Sequence, residues 1–180
     1  VIAPLLLLFF CFFHSLLGLG WLNALIYLLL LLVASWLWEE FGVLTGVLFG
    51  AYHYSSLIPY HISEVPLEIP FSWFVFQYLS FCVADIMVNG QAHTRTRRLV
   101  GDWRAQLVQG ILLALATGAV IVGWDVAADP LGSTSSTIWQ WDHPDGYFFG
   151  VPLLNFCGLV FGDVAVYWCF FGIGAFQPHP

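Results

Sequence analysis

No Asp, Glu, Lys or Arg occurs before Glu39. This uncharged stretch, Val1 to Trp38, constrains the fold more than any motif in the chain. A membrane span takes about 20 apolar residues, so the stretch is too long for one span and just enough for two. Gly18-Leu19-Gly20 and Asn23 supply a turn between them. The first span is expected over about Val1–Leu17 and the second over about Leu22–Trp38. No basic segment followed by a cleavage site is present, so Val1–Leu17 reads as a span and not as a signal peptide. The rest of the chain continues in kind. Charged residues make up 8% of its 180 positions and mean hydropathy is +0.85, whereas a soluble domain carries about 25% charged residues.

A third span is expected over about Phe71–Val88, carrying Asp85, and a fourth over about Ala105–Trp124. A fifth covers about Tyr147–Ala175, interrupted by Pro152, Asn155 and Asp163. Between the second and third, Ser55–Pro70 reads as a loop in which Pro59, Pro66 and Pro70 prevent a continuous helix. The expected fold is all-α: a polytopic integral membrane helical bundle of about five spans, forming one membrane domain over residues 1–180. Its expected location is the cell membrane or a photosynthetic inner membrane, with membrane lipid as its surroundings.

The chain has no lysine, and Arg95, Arg97, Arg98 and Arg104 are its only bases. The positive-inside rule therefore puts Asn89–Arg104 in the cytoplasm. The polar segments Glu39–Pro70 and Asp125–Asp145 then end together on the opposite side. The net charge of −7 reflects this scarcity of bases, and with no basic patch no nucleic-acid partner is indicated. Cys11, Cys82, Cys157 and Cys169 form no CxxC pair and read as small buried apolar residues.

The segment from Trp38 to Tyr54 opens with Glu39 and Glu40, spaces Gly42, Gly46 and Gly50 four apart, and closes with Tyr52, His53 and Tyr54. If helical, its glycines form one smooth ridge headed by Glu39. Such a ridge either packs a second helix or admits a flat apolar ligand. Carboxylates inside a membrane are costly and are functional candidates. Asp125 and Asp129 share a face if the fourth span continues through them. They read either as interfacial groups that solvate a loop or as an acid/base pair. Trp139 and Trp141 read either as interfacial anchors or as pocket walls.

The six histidines share no metal-ligand spacing, and no nucleotide, flavin or nicotinamide loop is present. Neither a metal nor a cofactor is expected. A lone histidine such as His14 reads as a hydrogen-bonded packing residue. What remains is carboxylates, aromatics and lipid. Burial favours the protonated form of a carboxyl group, and such an acid can protonate an apolar alkene. Aromatic faces stabilise the resulting cation, and a second carboxylate deprotonates the attacking water.

The pattern Glu39-xx-Gly42-xxx-Gly46-xxx-Gly50-x-Tyr52-x-Tyr54, then Val65-Pro66, Ile69-Pro70 and Trp73, resembles the front half of the carotenoid biosynthesis membrane family. Trp124-Asp125, Asp129-Pro130, Trp139-x-Trp141 and the segment Tyr147 to Gly158 resemble its closing half, in the same order. Leu44 stands where that family usually has an arginine, Leu159 where it usually has a tryptophan, and Phe149 is an extra residue. The resemblance implies cofactor-free hydration of the terminal C1=C2 bond of an acyclic carotenoid. Glu39 and Asp125 are the expected acid/base pair, with Asp129 as a third candidate. Tyr52, Tyr54, Trp139 and Trp141 would line the site, and Asn155 would orient water or a carboxyl group. Two other readings compete: a non-catalytic pigment- or lipid-binding subunit of a larger membrane complex, and a proton-coupled transporter built on Asp85 and Asp163.

Overall fold

A computed structural model describes residues 2–56, 58–90, 103–135, 138–143, 146 and 148–172. Helix α2 (Trp21–Thr45) shows how the bundle is built. Its buried residues are Ala24, Tyr27, Leu31, Ser35, Glu39 and Gly42. They recur every three or four positions, so they form one stripe on a 3.6-residue helix. The opposite face carries exposed Leu25, Leu29, Val33, Leu37, Phe41 and Leu44. The inward stripe mixes small and polar groups with Tyr27 and Leu31, while the outward face is large and apolar, as on a lipid-facing helix.

Four further helices complete the bundle: α1 (Ile2–Leu19), α3 (Glu68–Asn89), α4 (Trp103–Pro130) and α5 (Leu153–Gly172). Helix α3 sits centrally, touching α1, α2 and α4, while α5 packs on α2 and α4. The core around α3 holds Phe74, Tyr78 and Phe81 against Tyr27 and Leu31 of α2. Among the described residues three helical stretches, Trp21–Thr45, Glu68–Asn89 and Leu107–Ser133, are long and apolar enough to cross a membrane. The apolar stretches of α1 and α5, Ala3–Leu19 and Leu153–Cys169, are shorter. Among the described residues five helices are therefore present as expected, but they are not five equal spans.

The element boundaries differ from the sequence expectation for local reasons. The second span does not stop at Trp38; the helix runs on to Thr45 and so carries Glu39 and Glu40 in its last turns. It ends where Gly46 adopts a left-handed φ of 66° and its N–H bonds to Gly42 O at 2.8 Å. Gly50 has φ 101°. The glycine ridge does not form, because only Gly42 of the three lies in the helix. Helix α3 begins at Glu68 and places Pro70 in its first turn, where a missing N–H costs no hydrogen bond. Helix α4 continues past Trp124 to Pro130 and gives way to a π-helical turn, Leu131–Ser135.

Four short strands shape the loop end of the bundle. Strand β1 (Tyr52–Tyr54) pairs antiparallel with β4 (Trp139–Trp141), setting Tyr52 opposite Trp141 and Tyr54 opposite Trp139. Strands β2 (His61–Ile62) and β3 (Val65–Pro66) form a hairpin. The Glu64 N–H at its tip donates to Glu40 Oε2 at 3.2 Å, tying the hairpin to α2. The β1–β4 pairing brings the two polar segments to one end of the bundle, the convergence inferred from charge. Arg95, Arg97 and Arg98, on which the side of the membrane was inferred, lie outside the described residues, as do His93, Asp145, Tyr147 and His179.

His14 Nδ1 shares a 2.6 Å hydrogen bond with the Tyr78 hydroxyl, the packing role expected of it. Cys11 is fully buried, whereas Cys157 and Cys169 are exposed, which corrects the expectation that all four cysteines are interior. Helix α5 packs against the Gly46–Gly50 turn at Gly158. A β-carbon there would collide with the backbone carbonyl of Leu48 and come within 2.9 Å of Phe49 Cδ1. A backbone oxygen cannot rotate away as a side chain can. Gly158→Ala is therefore expected to destabilise the protein by about 1–3 kcal/mol through overpacking, read as a lowered unfolding midpoint in detergent. An unchanged midpoint would contradict the close α5 contact.

Candidate functional site

The α2 stripe carries Glu39 into the bundle, where it is 7% exposed. Its carboxylate is surrounded by donors. Tyr52 and Tyr54 hydroxyls donate to Oε2 at 2.5 and 2.7 Å, and Trp73 Nε1 donates to Oε1 at 2.6 Å. The two tyrosines reach it together because β1 alternates: Tyr52 and Tyr54 share one face, and His53 points to the other, pairing with Asp142 at 2.8 Å. Gly42, one turn beyond Glu39 on α2, makes room for this arrangement. A β-carbon there would lie 2.6 Å from Phe49 Cδ2 and 3.5 Å from the Tyr52 hydroxyl. Burial first, and then the Glu39 charge, push both phenols well above their ordinary pKa. Both therefore remain donors throughout the physiological range.

A second group of acids hangs from the end of α4. Asp125 and Asp129 are one turn apart, so they share a face. The Asn155 amide, from the first turn of α5, bridges them: Nδ2 donates to Asp125 Oδ2 and to Asp129 Oδ2, each at 2.7 Å. Trp139 Nε1 donates to Asp129 Oδ1 at 2.8 Å, and Asp129 is 2% exposed. Thus β1 serves Glu39, its partner strand β4 serves Asp129, and the strand pairing holds both networks in one frame.

Glu39, Asp125, Asp129, Tyr52, Tyr54, Trp139, Trp141 and Asn155 all line a single cavity of about 150 Å³. The structure thus places all the residues singled out for the hydration reading around one cavity. It adds others that were not singled out as site residues. Phe49, Ile121 and Leu159 close the inner wall, and Phe76 and Trp124 stand at its outer edge. Trp73 was legible only as part of the resemblance, and its role as a Glu39 donor depends on how α3 packs against α2. Tyr52 and Trp141 rings stand 5.3 Å apart in the wall. Asp85 and Asp163 do not line this cavity. Asp163 is fully buried and accepts from Gln77, and Asp85 accepts from Asn89 at 2.5 Å near the far end of α3.

The substituted positions fall differently. Leu44 is 66% exposed and faces away from the cavity, while Leu159 forms part of its wall. Phe149 is exposed, at a left-handed φ of 49°. Among the described residues no cluster of His, Cys, Asp and Glu is placed to hold a metal ion. The arrangement can hold a small apolar group against aromatic faces while presenting carboxylates from two directions.

The donor network makes a measurable claim. Tyr52→Phe and Trp73→Phe each withdraw a donor from a buried carboxylate, which is expected to cost about 1–3 kcal/mol. In a Glu39→Leu background neither donor has that partner, so the same changes should cost less. The difference, a coupling of about 0.5–3 kcal/mol, is readable from unfolding midpoints in a double-mutant cycle. Strictly additive effects would contradict the network. Neither a curated protein nor a solved structure matches this chain. Residues 1–178 match the profile of carotenoid biosynthesis proteins, and the chain belongs to that family.

Proposed function

We propose that this member of a carotenoid biosynthesis family hydrates the terminal C1=C2 double bond of an acyclic carotenoid end group by carboxylate acid/base catalysis. One observation carries the reading. Carboxylates from two helices, Glu39 on α2 and Asp125 and Asp129 on α4, share one small aromatic cavity with indole, phenol and amide donors as their partners. That is the equipment for moving protons beside an apolar group.

In this reading Asp125 is the acid. Asn155 is its one hydrogen-bond partner among the described residues, which leaves Oδ1 for a substrate. Its proton goes to C2, and the π electrons of the double bond form the new C–H bond. The positive charge then rests on the tertiary carbon C1. Trp73, Trp141 and Tyr52 line the cavity, and aromatic faces stabilise such a cation. Water adds to C1 as Glu39 accepts its proton, and that proton returns to Asp125 before the next turnover. The sum is one water added, with a hydrogen on C2 and a tertiary alcohol on C1. Asp129 and Asn155 hold Asp125 in place. A positioned acid or base contributes typically 10²–10⁴-fold, so loss of the Asp125 carboxyl should lower turnover by about that factor.

The isotopic origin of the product tests this route. Turnover in heavy-oxygen water is expected to place the label in the tertiary hydroxyl, and turnover in deuterated water to place deuterium on C2. Both should proceed anaerobically and with chelator present. A requirement for molecular oxygen, or an unlabelled hydroxyl, would overturn hydration. Retention of pigment with no conversion would favour a binding subunit.

A further inference from the structure

The cavity is closed on most sides and open on one. Glu39 of α2, Leu159 and Asn155 of α5, and the β1–β4 ribbon form its back and its loop-end cover. The lining residues that are exposed all lie on α3 and α4: Ser72, Phe76 and Trp124. Phe76 is 39% and Trp124 48% exposed, and their rings pack against one another with centroids 6.4 Å apart, forming one edge of the slot between the two helices. Phe76 lies eight residues into α3, whose first residue is Glu68. Trp124 lies six residues before Pro130, the last of α4. At 1.5 Å per residue these positions are about 12 and 9 Å from the helix ends. Both helices carry stretches of spanning length, so the slot opens sideways, at a depth within a hydrocarbon core of about 30 Å.

The size of the cavity decides what enters it. Its volume is about 150 Å³. An apolar protein cavity of roughly 150 Å³ holds one benzene-sized body. It therefore takes the tip of a long hydrocarbon chain, and the remaining chain must lie outside. Among the described residues, the exposed part of the lining is at Ser72, Phe76 and Trp124, on the lateral surface.

We propose that the α3–α4 slot is a lateral mouth through which a long, slender polyene enters tip first from the lipid, with the packed Phe76 and Trp124 rings as the sill against which its shaft lies. The shaft runs from the cavity toward the middle of the bilayer, and its other end stays in lipid. Each binding event therefore exposes one chain end to the carboxylates. A bulky cyclic end is too large for the cavity. Phe76 and Trp124 act as binding residues that set which chains are accepted. The identity of the chain as an acyclic carotenoid rests on the hydration reading; the mouth itself rests on cavity size and exposure.

Binding and turnover are measured separately to test this. The protein is placed in lipid nanodiscs and titrated with a full-length acyclic carotenoid, following its absorption shift, and hydration is followed by product analysis. Phe76→Ala and Trp124→Ala should each weaken binding roughly three- to tenfold, the size of one aromatic contact. Ser72→Trp, at an exposed site on the rim, should block the mouth and abolish binding. Val33→Ala, on the lipid-exposed outward face of α2 and outside the cavity lining, should bind as the wild type does. Unfolding midpoints identify any variant that fails to fold, and Ser72→Trp adds bulk outside the core. Wild-type binding by the Phe76, Trp124 and Ser72 variants, with hydration intact, would overturn the mouth and leave the hydration reading standing. Binding that responds as stated, with no hydration by the wild type, would support the mouth and overturn hydration. Absence of carotenoid binding by the wild type would overturn both.

Discussion

A carboxylate held inside a membrane bundle is the constraint on which the loop end of this structure depends. Without partners, such a group in a low-dielectric interior is strongly unfavourable. Glu39 is tolerated because three donors from two other elements meet it: Tyr52 and Tyr54 from β1, and Trp73 from α3. Each donor brings a further requirement. Strand β1 is held in line by β4, and β4 contributes Trp139 to Asp129. Asp129 and Asp125 are in turn bridged by Asn155 at the start of α5. One buried acid thus fixes how α2, α3, the ribbon, α4 and α5 meet.

This dependence explains why parts of the architecture were legible in the sequence and others were not. Hydropathy locates all five helices, because an uncharged stretch of spanning length has few other stable forms. Scarcity of bases was enough to bring Glu39–Pro70 and Asp125–Asp145 to the same end, and the β1–β4 pairing has them there. Helix ends were less legible. The fourth span was expected to stop at Trp124, but the helix carries Asp125 and Asp129 through to Pro130, because both acids find donors there. The three glycines spaced by four suggested one ridge and turned out to do three different jobs. Gly42 admits the Phe49 ring, Gly46 ends the helix in a left-handed conformation, and Gly50 turns the chain beneath Pro152. A spacing of four describes a ridge only where the backbone stays helical, and positive φ at Gly46 breaks that condition.

The site shows the same division. Its acids and aromatic residues could be chosen by type and by resemblance. Which atoms they offer one another is a matter of packing. Trp73 lies far in sequence from Glu39 and meets it only through the contact of α3 with α2. Phe76 and Trp124, ordinary lipid-facing aromatics by pattern, become the outer edge of the cavity because α3 and α4 leave a slot between them. Membership of a carotenoid biosynthesis family suits the proposed mouth, because a long apolar substrate of the kind proposed would reside in the surrounding lipid.

The most direct test of the account concerns Glu39 itself. Glutamine at this position keeps the size and a carbonyl that can accept from the two tyrosines, but it cannot take a proton from attacking water. Purified Glu39→Gln protein, shown to be folded by its unfolding midpoint and supplied with an acyclic carotenoid in lipid nanodiscs, is compared with the wild type for hydroxylated product. The account predicts a folded variant that binds pigment and forms no tertiary alcohol above background. A folded variant with wild-type product yield would contradict it and remove Glu39 from the chemistry.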